Sequence, residues 1–385
     1  MGLYPEWAAL GIREGASPAL QSEAGRMVAL MPSMEAAREE LARRGCDLDV
    51  KTVRRLSLEL GAEALAARKE DLLAWRRGEL PAGTEMAGKR VGVAIDGGRT
   101  RTRQTKRKGR RTKKGRHRFD TPWREPKLAV IYELDDSGAI DRSRLRTVDG
   151  TLLGPDHLME LVAYHLHRLG AAQAKHVVFL GDGSDWIWDR VPEVAARAGL
   201  PLGRWFQALD PSHAVSHIAK ALEACAHWSI KERQKQLTRL RRMLRSGGVD
   251  KVIAYLQRLK RGRRSTAIQD EIDYLEKRRR LMKYAELRRK KLPIGSGAVE
   301  STIRRVVNLR VKGPGMFWEE QNVEAIMYLR AQALTGRWKE MMAQVRQHSR
   351  RTRDLTWTWE PTPMSLDVAT KLQLVSGRKV KRRAG

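Results

Sequence analysis

The chain has 385 residues, with 76 Lys and Arg against 45 Asp and Glu, and a formal net charge of +31 at pH 7. A length of this order supports a sizeable buried core and two or three domains, which excludes a wholly disordered chain. No stretch approaches the roughly 20 apolar residues of a bilayer crossing, and the start lacks a secretory pattern, so a cytoplasmic, nucleoid-associated protein is expected. Cys46 and Cys225 are too few for a disulfide framework or a four-thiolate zinc site. So large a positive excess points to a polyanionic partner, nucleic acid first, and to no membrane. Ribosomal proteins share this composition, so charge by itself does not imply catalysis.

Ser17 before Pro18 opens a helix, and Leu20, Ala24, Met27 and Met31 then fall on one face. A second helix over 34–44 ends at Gly45, and Asp49 caps a third beginning at Val50. Read as a helix-turn-helix, this pair presents Lys51, Thr52, Arg54 and Arg55 where phosphates and base edges of a major groove would lie. An ordinary helical hairpin gives the same pattern. Pro81-Ala82-Gly83 marks a linker before residue 88.

From residue 90 the period changes to short apolar runs bounded by turn residues, which predicts strands over 90–95, 127–134, 144–148, 176–180 and 204–209. Helices over 155–169 and 187–198 separate the last three. The order β-β-β-α-β-α-β builds a mixed five-stranded sheet, antiparallel at one side and parallel at the other, which is the ribonuclease H-like order. Residues 211–293 read as charged helices with breaks at Gly247-Gly248 and 261–264, an all-helical insertion. The turn from Pro293 to Gly297 then launches a helix over 298–310, ended by Gly313-Pro314-Gly315. The predicted fold class is therefore α/β: an RNase H-like sheet with a helical insertion, preceded by an all-α, helix-turn-helix-like domain.

Two of these strands run into an acid followed by glycine: Ile95 into Asp96-Gly97-Gly98, and Leu180 into Gly181-Asp182-Gly183. In the ribonuclease H-like order those strands are parallel neighbours at the switch point, where open α/β sheets place their sites. Glu300, in the first turn of the 298–310 helix, supplies a third carboxylate if that helix packs on the same edge. Three hard oxygen donors without Cys or His suit two Mg²⁺ or Mn²⁺ ions, about 4 Å apart in two-metal phosphodiester chemistry. Taken singly, each acid also fits a turn or a helix cap. Asp185 and Asp189 compete with Asp182, but they sit where the next helix opens.

Between the first two strands, residues 99–118 hold 12 Lys and Arg in 20 positions. Arg99, Arg101, Arg103, Lys106, Arg107, Lys108, Arg110, Arg111, Lys113 and Lys114 would clamp a DNA backbone beside Asp96, or form a solvated charge run. Arg304, Arg305, Arg310 and Lys312 follow Glu300 and would neutralise phosphates flanking a scissile bond, or face solvent. Asp210, His213 and His217 have ligand-like spacing, yet Asp210-Pro211 is equally an N-cap with Pro at the first helical position. Trp186, Trp188 and Trp318 fit base stacking or, for at least two of them, core packing.

At these residues the chain resembles the DDE transposases of bacterial insertion sequences, the Kra-type family in particular, itself similar to the Mutator-like transposases. The matching stretches are Ile95-Asp96-Gly97-Gly98-Arg99, Trp123-Arg124-Glu125-Pro126-Lys127, Gly181-Asp182-Gly183 with Trp186-Ile187-Trp188, Asp210-Pro211-Ser212-His213, and Gly297-Ala298-Val299-Glu300-Ser301 leading to Gly315-Met316-Phe317-Trp318. The resemblance implies that Asp96, Asp182 and Glu300 are catalytic metal ligands, that Asp210 and His213 are an auxiliary pair, and that 211–293 is the family's insertion. It implies cleavage and strand transfer at element ends by a homo-oligomer bound to double-stranded end and target DNA. The expected segments are 1–80 for DNA binding, 88–210 and 294–345 for the catalytic core around the 211–293 insertion, and a basic tail over 346–385. Family members carry a cysteine-rich segment ahead of the helix-turn-helix that is not found before Leu3-Tyr4-Pro5 here. Two other readings fit the same acids or the same charge: a structure-specific nuclease, and a non-catalytic regulator derived from a transposase.

Overall fold

The computed structural model describes residues 7, 10–12, 15–106, 108–109, 111–113, 115–225, 227–260, 266–313 and 316–352, with side chains to 349, and two short paired strands, Thr356–Thr358 and Gln373–Val375. Most of the expected basic tail, the Pro314-Gly315 turn and the 261–264 break lie outside the described residues. The N-terminal helices start where their caps require. Ser17 Oγ accepts from Leu20 N at 3.2 Å ahead of α1 (Pro18–Leu30), Ser33 caps α2 (Met34–Arg43), and Asp49 Oδ1 accepts from Thr52 N at 2.9 Å ahead of α3 (Val50–Arg76). α3 has 27 residues, about 40 Å of helix, because Val53, Leu56, Leu60, Ala64 and Leu72 sustain one apolar stripe.

The main sheet comprises β1 (Arg90–Gly97), β6 (Lys127–Leu134), β7 (Thr147–Thr151), β8 (His176–Gly181) and β9 (Trp205–Leu209). Its order is β7-β6-β1-β8-β9, with β6 antiparallel to β7 and β1, and β1, β8 and β9 parallel. This is the mixed sheet expected from the order of apolar runs. Two small ribbons project after β1: β2 (Thr100–Arg101) pairs with β5 (Trp123–Arg124), and β3 (Gln104–Thr105) with β4 (Phe119–Asp120).

The first strand runs on through Asp96 to Gly97, and three expected elements change more. The third strand of the sheet begins at Thr147 rather than 144, because pairing with β6 starts at Ile131 opposite Thr147, and Leu145 ahead of it is 45% exposed. The helix expected over 187–198 is two, α5 (Asp185–Trp188) and α6 (Val191–Arg197), since Pro192 has no N–H to continue the first ladder and starts a new one. The helix carrying Glu300 is short: α12 (Gly297–Ile303) opens into a π-helical turn over Arg304–Asn308.

Around the sheet lie α4 (Pro155–Arg168), packed on β6 and β7, and the helical stretch after β9. That stretch holds α7 (Pro211–Glu223), α8 (Ile230–Arg245), α9 (Val249–Lys260), α10 (Thr266–Lys277) and α11 (Tyr284–Arg289). α13 (Glu320–Thr335) and α14 (Trp338–Thr352) close the described fold. The N-terminal helices share a core with it: Met27, Val28, Leu41 and Leu56 join one apolar cluster with Leu128, Val130, Val323 and Ile326. The last four carbonyls of α1 are all satisfied, Met27 by its own chain at Met31 N, Val28 by Arg310 Nε at 3.0 Å, and Ala29 and Leu30 by Arg330 Nη1. No described helix is long and apolar enough to cross a membrane.

Candidate active site

Strand register brings the first two acids together. β1 and β8 are paired in parallel up to Ala94 opposite Leu180, and two residues further along stand Asp96, still within β1, and Asp182, one residue past the end of β8. Neighbouring strands lie about 4.8 Å apart, so these positions share one end of the sheet. The third acid reaches that end from above. α12 packs on β1 and β6 through Ala298, Val299, Thr302 and Ile303, all buried, which leaves Glu300 on its exposed side. Ile303 comes so close to the strand end that a β-carbon on Gly98 would meet its Cγ2 at 3.3 Å.

The electrostatics record this convergence. Burial pushes the Asp96 carboxyl up to about 6, the Gly97 amide donating to Oδ1 at 2.7 Å opposes the rise, Asp182 and Glu300 add to it, and His213 offsets part of it. Asp182, Glu300 and His213, all singled out in the sequence, thus act on one half-buried carboxylate. Among the described residues, no three of His, Cys, Asp and Glu stand close enough together to ligate one ion. Asp182 is drawn into its own turn instead: Ser184 N donates to Oδ1 at 2.8 Å and Ser184 Oγ to Oδ2 at 2.9 Å.

Helix α10 braces the Asp182 loop. Arg278, just beyond its end, is 9% exposed; its Nε donates to the Gly183 carbonyl at 2.8 Å and its Nη2 to Asp185 Oδ1 at 2.9 Å. The same guanidinium lies 4.1 Å over the Tyr274 ring. Lys277 Nζ donates to Asp185 Oδ2 at 2.8 Å. A β-carbon on Gly183 would lie 1.8 Å from the Tyr274 hydroxyl, so only glycine admits this contact. On the other side, Trp188 Nε1 donates to the Asp182 carbonyl at 2.8 Å, which makes Trp188, 3% exposed, a packing residue.

Asp210 joins both sides of the site to the helical stretch. Its Oδ1 accepts from Ser212 N at 2.7 Å as the cap of α7, and its Oδ2 accepts from Ser296 N and from Ser296 Oγ, the latter at 2.9 Å, in the turn that launches α12. These donors outweigh burial and hold its carboxyl below the usual range. His217, expected to share a face with His213, is instead bonded to Glu271 through Nδ1 and stacked on Tyr274, so the ligand-like spacing of the two histidines ends in a structural pair.

The candidate DNA-contacting cations divide sharply. Arg99, Arg101, Lys106, Lys108, Arg111, Lys113, Arg304, Arg305 and Lys312 are exposed, while Arg107, Arg110 and Lys114 lie outside the described residues. Arg310 is overturned as a phosphate contact: it is fully buried, holds Val28 of α1, and burial pushes its pKa down to about 10. On α3, Lys51 and Arg54 are exposed, Arg55 pairs with Glu59 at 3.2 Å, and Thr52 Oγ1 is spent on Asp49 at 2.9 Å.

No family model matches the sequence, and no curated protein matches it either. Among solved structures, the chain is similar to a Drosophila P element transposase strand transfer complex at 12% identity, covering 91% of this chain and 90% of that one with a TM-score of 0.29. Superposition that loose leaves the reading of this site to its own residues.

Those residues include rings and a carboxylate to which the sequence assigned no role of their own. Trp123 on β5 is 47% exposed, with Arg99 at 5.3 Å and Arg101 at 4.7 Å over its ring; Arg103 lies 4.6 Å over Phe119, itself 40% exposed. The arm between β1 and β6 is thus a ribbon of alternating rings and cations, pinned at its base by Arg103 N donating to the Trp318 carbonyl at 2.6 Å. Its signal in the sequence was the Phe119 and Trp123 pair closing the basic run. Glu125, paired with Lys127 at 3.0 Å, sits where a β-carbon on Gly97 would touch it at 2.4 Å, a fourth carboxylate beside Asp96.

Proposed function

We propose that the chain is a DNA transposase of the DDE type, similar to the Kra-type family, in which Asp96, Asp182 and Glu300 carry phosphodiester cleavage and strand transfer. The observation that carries this reading is the placement of three carboxylates from β1, the β8 loop and α12 at one sheet end, close enough that two of them raise the pKa of the third. Hard oxygen donors of this kind suit Mg²⁺ or Mn²⁺; as they stand the three do not form one ligating group, and a divalent cation would relieve the repulsion that opposes drawing them together. When bound, such ions supply Lewis acidity at the scissile phosphate and activate water or a freed 3′-hydroxyl. The chain's own part is positional. Arg278 and Ser184 fix the Asp182 turn, Asp210 fixes the turn before Glu300, and the ribbon bearing Arg99, Arg101 and Trp123 offers cations and a ring to DNA beside Asp96. Asp96 must be ionised to act, which sets a lower pH limit.

The test uses supercoiled plasmid carrying the DNA that flanks the gene, with Mn²⁺, comparing the wild type with Glu300→Gln. Cutting and joining at discrete flank positions is expected in the wild type, with at least a hundredfold loss in the variant. Cleavage or joining that survives Glu300→Gln, or binding with no metal-dependent cutting, overturns the assignment and favours a DNA-binding regulator. Cutting without joining favours a nuclease.

A further inference from the structure

Away from the carboxylates, α8 builds a second cationic surface. Leu237, Leu240 and Leu244 form its inward stripe, so Lys235, Arg239 and Arg242 recur on the opposite side at spacings of four and three residues. Gly247, in the left-handed region at φ 93°, turns the chain into α9, and a β-carbon there would meet Ala285 Cβ at 2.7 Å. The tight turn folds Lys251 of α9 over against α8. The result is an open groove of about 640 Å³ lined by Lys235, Thr238, Arg239, Arg242, Met243 and Lys251 with the Ser246-Gly247-Gly248 turn, and with no acidic residue. The four cations are exposed and none makes an ion pair with a described residue.

We infer that this α8–α9 groove is a docking surface for the phosphate backbone of double-stranded DNA, separate from the carboxylate site. The inference rests on the transposase reading only for DNA being the partner. Four like charges held together without an acid repel one another, a cost that a polyanion removes. From Lys235 to Arg242 the helix rises about 10.5 Å, over which one DNA strand presents about three phosphates. The groove is shallow and its walls are exposed, whereas a small-molecule anion is gripped in a site that buries most of its surface. The Tyr255 ring, 5.9 Å from the Arg239 guanidinium, is partly buried and stands outside the lining, so the groove lacks the open stacking platforms that hold single strands. A continuous duplex backbone is the polyanion that fits.

The test measures binding of the full-length protein to a 30-base-pair duplex of arbitrary sequence in EDTA, by fluorescence anisotropy from about 50 to 300 mM salt. The groove variant carries Lys235→Gln, Arg239→Gln, Arg242→Gln and Lys251→Gln. A charge-matched control carries Arg280→Gln, Lys283→Gln, Arg288→Gln and Arg289→Gln, also exposed but outside the groove. Expected is a fall in the slope of log K against log salt of about 3 for the groove variant, near 0.9 per lost phosphate contact. Its affinity at 100 mM salt should drop at least tenfold while the control changes less than threefold. Equal losses in the two variants, an unchanged slope, or a loss confined to single-stranded DNA or to duplex RNA overturns the inference. Metal-dependent cutting by the wild type is scored separately. If cutting is present and the groove variant binds normally, only the groove fails; if cutting is absent and the groove variant loses duplex binding, only the catalytic reading fails.

Discussion

Asp96 is where burial and like charge meet. Its carboxyl is pushed up to about 6, first by burial and then by Asp182 and Glu300. An acid whose folded pKa exceeds its unfolded one binds its proton more tightly when folded, so ionising Asp96 lowers stability as pH rises from about 4 to about 6. Asp96→Asn should therefore flatten the decline in urea midpoint over that window, while abolishing cleavage. A ligand must be deprotonated to hold a cation. Activity should accordingly show an acid limb near pH 6 that moves lower as Mn²⁺ is raised; a limb indifferent to metal concentration would argue against Asp96 as a ligand.

Single elements do the positioning. The β8 strand ends in a loop that carries Asp182, and that loop is held from outside the sheet by Arg278 and Tyr274. Gly183→Ala places a β-carbon 1.8 Å from the Tyr274 hydroxyl, so α10 must retreat from the loop. We expect about a hundredfold loss in cleavage rate, a magnitude seen when a reacting group is misplaced by about 1 Å, together with partial rescue by Tyr274→Phe. Near-normal activity in Gly183→Ala would show that the brace is dispensable. The ends of β1 and β8 were legible as sequence because an apolar run stopping at Asp-Gly is a local pattern. The brace was not, since Gly183 and Arg278 are far apart in sequence and no periodicity links them. Arg310 shows the converse: on a helix following Glu300 it reads as one more cation for DNA, but beyond the π-helical turn it lies in the interior, where it donates to the Val28 carbonyl of α1.

At the scale of the molecule, a buried ionic cluster joins the N-terminal helices to the sheet. Arg68 of α3 donates to Asp149 of β7 at 2.6 Å and to Glu324 of α13 at 2.8 Å, and His165 Nε2 of α4 contacts Asp149 Oδ2 at 2.8 Å. Burial opposes the charge on Asp149, but Arg68 and His165 prevail and hold it down to about 2, while burial keeps the His165 pKa below its ordinary value. Removing Arg68 leaves the buried Asp149 charge to His165, whose own charged form burial disfavours. Arg68→Met should cost about 3–5 kcal/mol in urea unfolding, and adding Asp149→Asn should recover part of it. Because the depressed carboxyl contributes stability above its unfolded pKa, the wild type should lose more stability than Asp149→Asn as pH falls from about 4 toward 2. A cost below about 1 kcal/mol for Arg68→Met would mean that α3 is held by apolar packing alone.

What the sequence by itself determined is whatever depends on neighbours along the chain. Caps at Ser17, Ser33 and Asp49 set helix starts, apolar runs set the strands and so the order of the sheet, and Asp-Gly endings marked two of the three acids. Tertiary structure decided whatever depends on distant partners. It seated Glu300 over β1 through four buried side chains of α12, turned Asp210 into a strut for that helix, and took His217 for Glu271. It also separated cations that are identical in sequence terms. Arg310 went to a backbone carbonyl in the interior, whereas Lys235, Arg239 and Arg242 kept their charges exposed along a single groove. The physical reason is that a guanidinium is satisfied by any acceptor within reach, and only the packing of helices against the sheet fixes which acceptor that is.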